Sequence, residues 1–252
     1  MPLAIQLCLA VLAFLPACSM EPTDTDTGGG EITPDLTADV RILFIGNSLT
    51  YVNDLPAVVK ALASGAGLQS TQVATAAYPD FGLEQHWSGG DSRAAIEKDG
   101  WTHVVMQQGP SALETSRVNL LQWSNTFAEI IKQHGAMPGM YMVWPSTDRF
   151  FDFDRVSESY RLAAEAIEGQ LYPAGDAWRA AWTRNPSLAL YGPDGFHPSS
   201  LGTYTAALTI VAVIYNRSPV GLPALGVPAA TALLLQESAA EAIAAAPAAT
   251  RP

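Results

Sequence analysis

The 252-residue chain holds only two cysteines, Cys8 and Cys18, and both precede residue 20. Past that point there is no thiol, which excludes disulfide staples, zinc–thiolate sites and cysteine nucleophiles. Basic residues are scarce as well: 13 Lys and Arg stand against 24 Asp and Glu, a formal net charge of -11. Without a Lys/Arg cluster there is no electrostatic footprint for nucleic acid or for an anionic membrane surface. No apolar run is long enough to span a bilayer as a helix. A His-Glu-x-x-His, a Cys/His cluster and a glycine-rich phosphate loop are missing too, so neither a metal nor a nucleotide cofactor is implied.

What remains is the composition of a globular protein, 48% hydrophobic and 15% charged, at a length that supports one domain with a full core. Leu3 to Ala17 is a short apolar stretch ending in Leu15-Pro16-Ala17-Cys18, which resembles a bacterial lipobox. That resemblance implies a lipoprotein-type signal peptide over 1–17, lipidation at Cys18, export, and a place in the bacterial cell envelope with membrane contact only through the lipid. Residues 18–39 read as a flexible acidic tether, carrying Glu21, Asp24, Asp26, Glu31, Asp35 and Asp39 with almost nothing apolar to bury. A folded domain over 40–225 and an Ala-rich helical tail over 226–252 complete the expected organisation.

From Val40 onward, apolar runs alternate with helical patterns. Val40–Ile45, Gln72–Ala77, His103–Met106, Met140–Trp144 and Leu171-Tyr172 read as strands. Between them Leu55, Val59 and Leu62, then Leu120 to Ile131, then Val156 to Ile167, recur at helical spacing. Such alternation, with continuous apolar strands, predicts an α/β fold whose parallel sheet of about five strands is covered on both faces. Ligands of such sheets bind outside the carboxyl ends of the strands. Ser48 follows the first strand there, and Gln107-Gln108 and Trp144-Pro145-Ser146 end two others.

Near the far end, Asp194-Gly195-Phe196-His197 puts a carboxylate and an imidazole three residues apart, just before the helix entry Pro198-Ser199-Ser200. A serine hydroxyl needs an imidazole to take its proton, and the imidazole needs a carboxylate to fix its tautomer. Ser48, His197 and Asp194 are therefore candidates for nucleophile, base and orienting acid. The Gly-x-Ser-x-Gly elbow of α/β-hydrolases is absent, because Thr50 stands where its last glycine would be. His86 either lines a pocket or plays a structural part, while His103 and His134 read as incidental. Most of the six tryptophans are expected in the core, with Trp144 the best placed to offer a stacking face.

Ile45-Gly46-Asn47-Ser48-Leu49-Thr50 and Asp194-Gly195-Phe196-His197-Pro198 resemble the first and last blocks of the SGNH (GDSL-type) hydrolase superfamily, with Asn47 for the usual Asp. The resemblance implies a three-layer, flavodoxin-like domain and a serine esterase working through an acyl-enzyme, without cofactor. It also implies an oxyanion hole built from the Ser48 N–H, a glycine N–H and an asparagine side chain. Gly82 is the expected glycine. Gln107-Gln108 stands where the family's Gly-x-Asn-Asp would be, so Gln107 is the expected side-chain donor, with Gln108 behind it. The expected substrate is a small-molecule or glycan ester, O-acetylated glycans among them. Alternatives are a lipase or thioesterase acting on longer acyl chains and a non-catalytic surface binding protein of the same fold.

Overall fold

The computed structural model describes residues 31–251, so the expected signal segment, Cys18 and most of the tether lie outside the described residues. Five parallel strands, β1 (Val40–Gly46), β2 (Thr71–Ala77), β3 (His103–Met106), β4 (Met137–Tyr141) and β5 (Gln170–Tyr172), pair in the order β2-β1-β3-β4-β5. This is the flavodoxin-like order, in which the chain reverses direction across the sheet at the β1/β3 boundary. Strand β1 is interior, paired with β2 on one side and β3 on the other, and Ile42, Leu43, Phe44 and Ile45 are fully buried, as an apolar run facing helices on both sides must be.

Helix α1 (Ser48–Tyr51) starts one residue after β1, and α2 (Leu55–Gly65) follows with Pro56 in its first turn and the Asp54 carboxylate accepting from Ala57 N. Helices α3 (Leu83–Gly89) and α4 (Asp91–Ile96) lead into β3, and α5 (Glu114–Gln133) and α6 (Phe153–Ala166) flank β4. Helices α7 (Ala174–Arg184), α8 (Ser200–Ile214) and α9 (Ala229–Ala245) close the chain. Helix α2 packs on α8, α7 packs on both α8 and α9, and α5 packs on α3 and α6. The α/β class, the parallel sheet and the flavodoxin-like layering are those the sequence implies. Among the described residues no helix is long and apolar enough to cross a membrane.

Two boundaries differ from expectation. Strand β4 spans Met137–Tyr141 rather than Met140–Trp144, because its register against β3 (His103 opposite Met137, Met106 opposite Met140) begins at the less apolar Met-Pro-Gly end. Gly139 is required there, since a Cβ would lie 2.5 Å from the Tyr172 ring. The last residues assigned to the tether are also part of the folded unit, which begins at Ile32. Gln72 accepts from Asp35 N at 2.6 Å and donates to Thr33 O at 2.9 Å, and Asp39 and Ser70 exchange bonds at 2.8 to 3.1 Å. The Ala-rich tail forms α9 and docks on α7, burying Ala232, Leu235, Ala239 and Ala242.

Candidate active site

The Ser48 turn is built by small residues and amides. Gly46 closes β1 where a Cβ would sit 2.3 Å from Thr50 Oγ1 and 2.5 Å from Gln107 Oε1, so no larger residue fits. Asn47 caps α1 by accepting from Leu49 N at 3.1 Å, and its Nδ2 donates to Phe81 O at 2.9 Å. An aspartate in its place could accept but not donate, and would set a carboxylate against the Phe81 carbonyl. This is the physical reason for asparagine at position 47. His86 is buried beneath the turn. Its Nε2–H donates to Gly46 O at 2.7 Å, which leaves Nδ1 to accept from Ser92 Oγ at 2.8 Å. Burial pushes the His86 imidazole below its ordinary pKa, so it serves as a neutral strut.

At the other end of the chain Asp194 Oδ1 accepts from the N–H groups of Phe196 and His197, both at 3.0 Å, while its Oδ2 bonds His197 Nδ1. The bond to His197, then the backbone donors, holds the Asp194 carboxyl down at about 2. Its position also follows from the walls around it: Thr147 N donates to Gly195 O at 2.8 Å, and Trp144 Nε1 donates to Phe196 O at 2.9 Å. Trp144 is fully buried and stacks on Trp178 with ring centroids 3.5 Å apart, so it anchors this turn and offers no face to a ligand.

The two segments meet through Asn53, which stands in the turn between α1 and α2. Asn53 has a left-handed backbone (φ 56°), and its Nδ2 donates to Pro198 O at 2.8 Å and to Thr203 Oγ1 at 3.0 Å. Ser48 lines an open cleft of about 390 Å³, with Gly82 and Gln108 on its wall and Phe196 from the His197 turn. Ser48 and His197 share no direct hydrogen bond, and no acceptor meets the Ser48 N–H among the described residues. Catalytic bonds of this kind commonly tighten only around substrate.

The expected oxyanion donors are placed differently from one another. Gln107 is fully buried and outside the cleft wall. Its Oε1 accepts from Asn47 N at 3.0 Å and Thr50 Oγ1 at 2.8 Å, and its Nε2 donates to Asn47 Oδ1 at 3.0 Å and Gln108 O at 2.6 Å. Both amide hydrogens are committed, so Gln107 is not an oxyanion donor. Its longer arm folds back onto the nucleophile turn. Gln108 does reach the cleft: its Oε1 accepts from Leu83 N, and its Nε2 gives one hydrogen to Ser111 Oγ at 3.0 Å and keeps the other. Gly82 lies at the start of α3, where its N–H meets the exposed Gln85 Oε1 at 2.9 Å. Among the described residues no group of His, Cys, Asp and Glu could hold a metal ion.

No family model matches the chain, and neither does any curated protein. Solved structures do. A protein provisionally assigned as an SGNH hydrolase from Slackia heliotrinireducens is 26% identical, with a TM-score of 0.59 over 69% of this chain and 98% of that one. A DUF4886 family protein from Bacteroides uniformis gives a TM-score of 0.69 at 18% identity, covering 82% of this chain and 95% of its own. The lipase/acylhydrolase of Enterococcus faecalis gives 0.57 at 16% identity, covering 70% and 96%. With the Ser48 block and the Asp194–His197 block in one flavodoxin-like fold, the first of these matches places the chain in the SGNH (GDSL-type) hydrolase superfamily, and the other two share the fold.

Proposed function

We propose that this SGNH-superfamily hydrolase is a serine esterase that cleaves carboxylic esters with short acyl groups. One observation carries the reading. Ser48 faces an open cleft at the carboxyl edge of the sheet, and the Asn53 bridge ties its turn to the one in which Asp194 orients His197. In the reaction Ser48 Oγ attacks the ester carbonyl as His197 Nε2 takes its proton. Asp194 keeps the other ring nitrogen protonated and balances the imidazolium that forms. The proton then passes to the leaving alcohol, and water, activated by the same imidazole, releases the acid from Ser48.

The developing oxyanion is met by the free Ser48 N–H and by the uncommitted hydrogen on Gln108 Nε2. Gly82 N–H joins once the substrate displaces the exposed Gln85 side chain. Each such donor is worth about 3–4 kcal/mol of transition-state stabilisation. Short acyl groups suit the cleft because Ser111, Ser116 and Asn119 share its walls with Phe81, Pro110 and Phe196. The lipobox-like Leu15–Cys18 supports export and lipid anchoring of the enzyme.

The test is a serine-directed fluorophosphonate probe. Labelling that disappears in Ser48→Ala supports the mechanism, and a folded, unlabelled wild type refutes it. Acetyl against octanoyl nitrophenyl esters measures acyl length. Mass spectrometry of the mature N-terminus tests lipidation at Cys18.

A further inference from the structure

A second, smaller cavity of about 160 Å³ adjoins the Ser48 cleft and shares Phe81 as a common wall. Three rings line it, those of Tyr78, Phe81 and His86, with centroids 5.1 to 5.7 Å from one another. Asp91 supplies the one charge. Its carboxylate accepts from Tyr78 Oη at 3.0 Å and meets no cationic side chain among the described residues. The nearby Arg93 lies over Trp87 and pairs with Glu97 instead.

The chemistry of this cavity is selective by what it has left to offer. The nitrogens of His86 are committed to Gly46 O and Ser92 Oγ, so the buried imidazole is neutral, backs the cavity and offers it no hydrogen bond. Ser92 spends its hydrogen on His86. A sugar ring entering here would find one carboxylate and almost no other partner for its hydroxyls, each of which costs free energy when desolvated unpaired. An anion would meet Asp91 here and Asp80 in the adjoining cleft, with no basic residue lining either cavity. An alkylated ammonium needs only negative ring faces and a carboxylate, and both are present. The volume is below the roughly 300–1,000 Å³ of a drug-sized site, and so suits a single compact group.

We propose that the cavity formed by Tyr78, Phe81, His86 and Asp91 is a subsite for an alkylammonium group carried by the alcohol half of the ester cleaved at Ser48. The inference rests on the esterase reading for its substrate, but not for its binding. Methyl groups on the nitrogen would contact the half-buried Tyr78 and Phe81 rings, backed by His86, while the positive charge faces Asp91, and the shared Phe81 wall would leave the ester in the Ser48 cleft.

The binding arm uses choline and its uncharged isostere 3,3-dimethylbutanol, observed by saturation-transfer NMR on the full-length protein. Transfer to the choline methyls, weak to the isostere and lost in Asp91→Asn, supports the subsite; equal transfer to both, or choline transfer that survives Asp91→Asn, overturns it. Asparagine keeps the acceptor for Tyr78 Oη, so the variant removes charge with little disturbance. The catalytic arm compares acetylcholine with 3,3-dimethylbutyl acetate. Wild type should favour the cationic ester in kcat/KM by about five- to tenfold, falling toward parity in Asp91→Asn and with added salt. A ratio near one in wild type overturns the substrate assignment. Nitrophenyl acetate serves as the uncharged control: if it too is untouched, the esterase reading fails and the NMR result still judges the subsite.

Discussion

Asn53 donates its side-chain amide to the carbonyl of Pro198 at 2.8 Å, which makes a residue five positions after Ser48 the brace for the residue directly after His197. The same nitrogen reaches Thr203 Oγ1 in the first turn of α8, so the brace ends on a rigid element. On the proposed mechanism it sets the separation between nucleophile and base without touching either, which makes Asn53 a positioning residue.

Replacing Asn53 separates the brace from the backbone it occupies. Asn53→Gly keeps the left-handed φ at no steric cost and removes only the two bonds. We expect it to lower kcat by about 10²-fold, as a misplacement of order 1 Å can, with KM for nitrophenyl acetate little changed. Asn53→Ala adds the strain of a Cβ at positive φ and should lose more stability as well. Rates of fluorophosphonate labelling, read beside urea midpoints, check both. Labelling at the wild-type rate in a folded Asn53→Gly would remove the role.

Gln107 calls for a different pattern. Its amide satisfies Asn47 N, Asn47 Oδ1 and Thr50 Oγ1 inside the protein, so Gln107→Leu strands several buried polar groups at once. Each costs about 1–3 kcal/mol when left unpaired, which predicts a loss of about 3 kcal/mol or more in urea unfolding. An oxyanion donor would behave in the opposite way, losing kcat at unchanged stability. Gln108→Leu should come closer to that second pattern.

The contrast between these glutamines shows where sequence reasoning ran out. The place of Ser48 at the carboxyl edge of the sheet was legible because a continuous apolar strand ends just before it, at Gly46. The bond between Asp194 and His197 was legible because their spacing is local. Gln107 was not, since its fold-back depends on Asn47 and Thr50, residues 57 to 60 positions away. Trp144 failed as a ligand platform for a related reason: the partner that buries it, Trp178, comes from a helix whose short pattern was not read as one. The packing of Ile32 to Asp39 on β2 depends on the Gln72 side chain imitating a strand edge, which composition cannot reveal.

Asp194→Asn isolates the orienting carboxylate. The asparagine Oδ1 can still accept from Phe196 N and His197 N, so the turn should keep its shape. Its Nδ2 would face His197 Nδ1 and impose the wrong tautomer. A fall in kcat of about 10⁴ is expected on the triad mechanism. Because the wild-type carboxyl is held at about 2, it stays ionised over the working range, and the acid limb of kcat/KM should show a single ionisation, that of the base. A second ionisation on that limb between pH 4 and 7 would contradict the assignment.

His103 makes a prediction about stability rather than rate. It opens β3 beside Ile42 and Met137, its ring bonds only the neighbouring Thr102 hydroxyl among the described residues, at 3.0 Å, and burial pushes its imidazole down to about 4. An unfolded histidine titrates at about 6.5. The folded pKa is the lower of the two, so the unfolded chain binds the extra proton. The contribution is fully present above about pH 6.5 and is lost as pH falls toward 4. The loss from this residue should reach about 2–3 kcal/mol by pH 4.5, with His86 adding in the same direction. Urea midpoints at pH 7 and pH 4.5 measure it. His103→Gln, which cannot charge, should flatten the difference by that amount. An unchanged pH slope in the variant would assign the acid sensitivity to other groups.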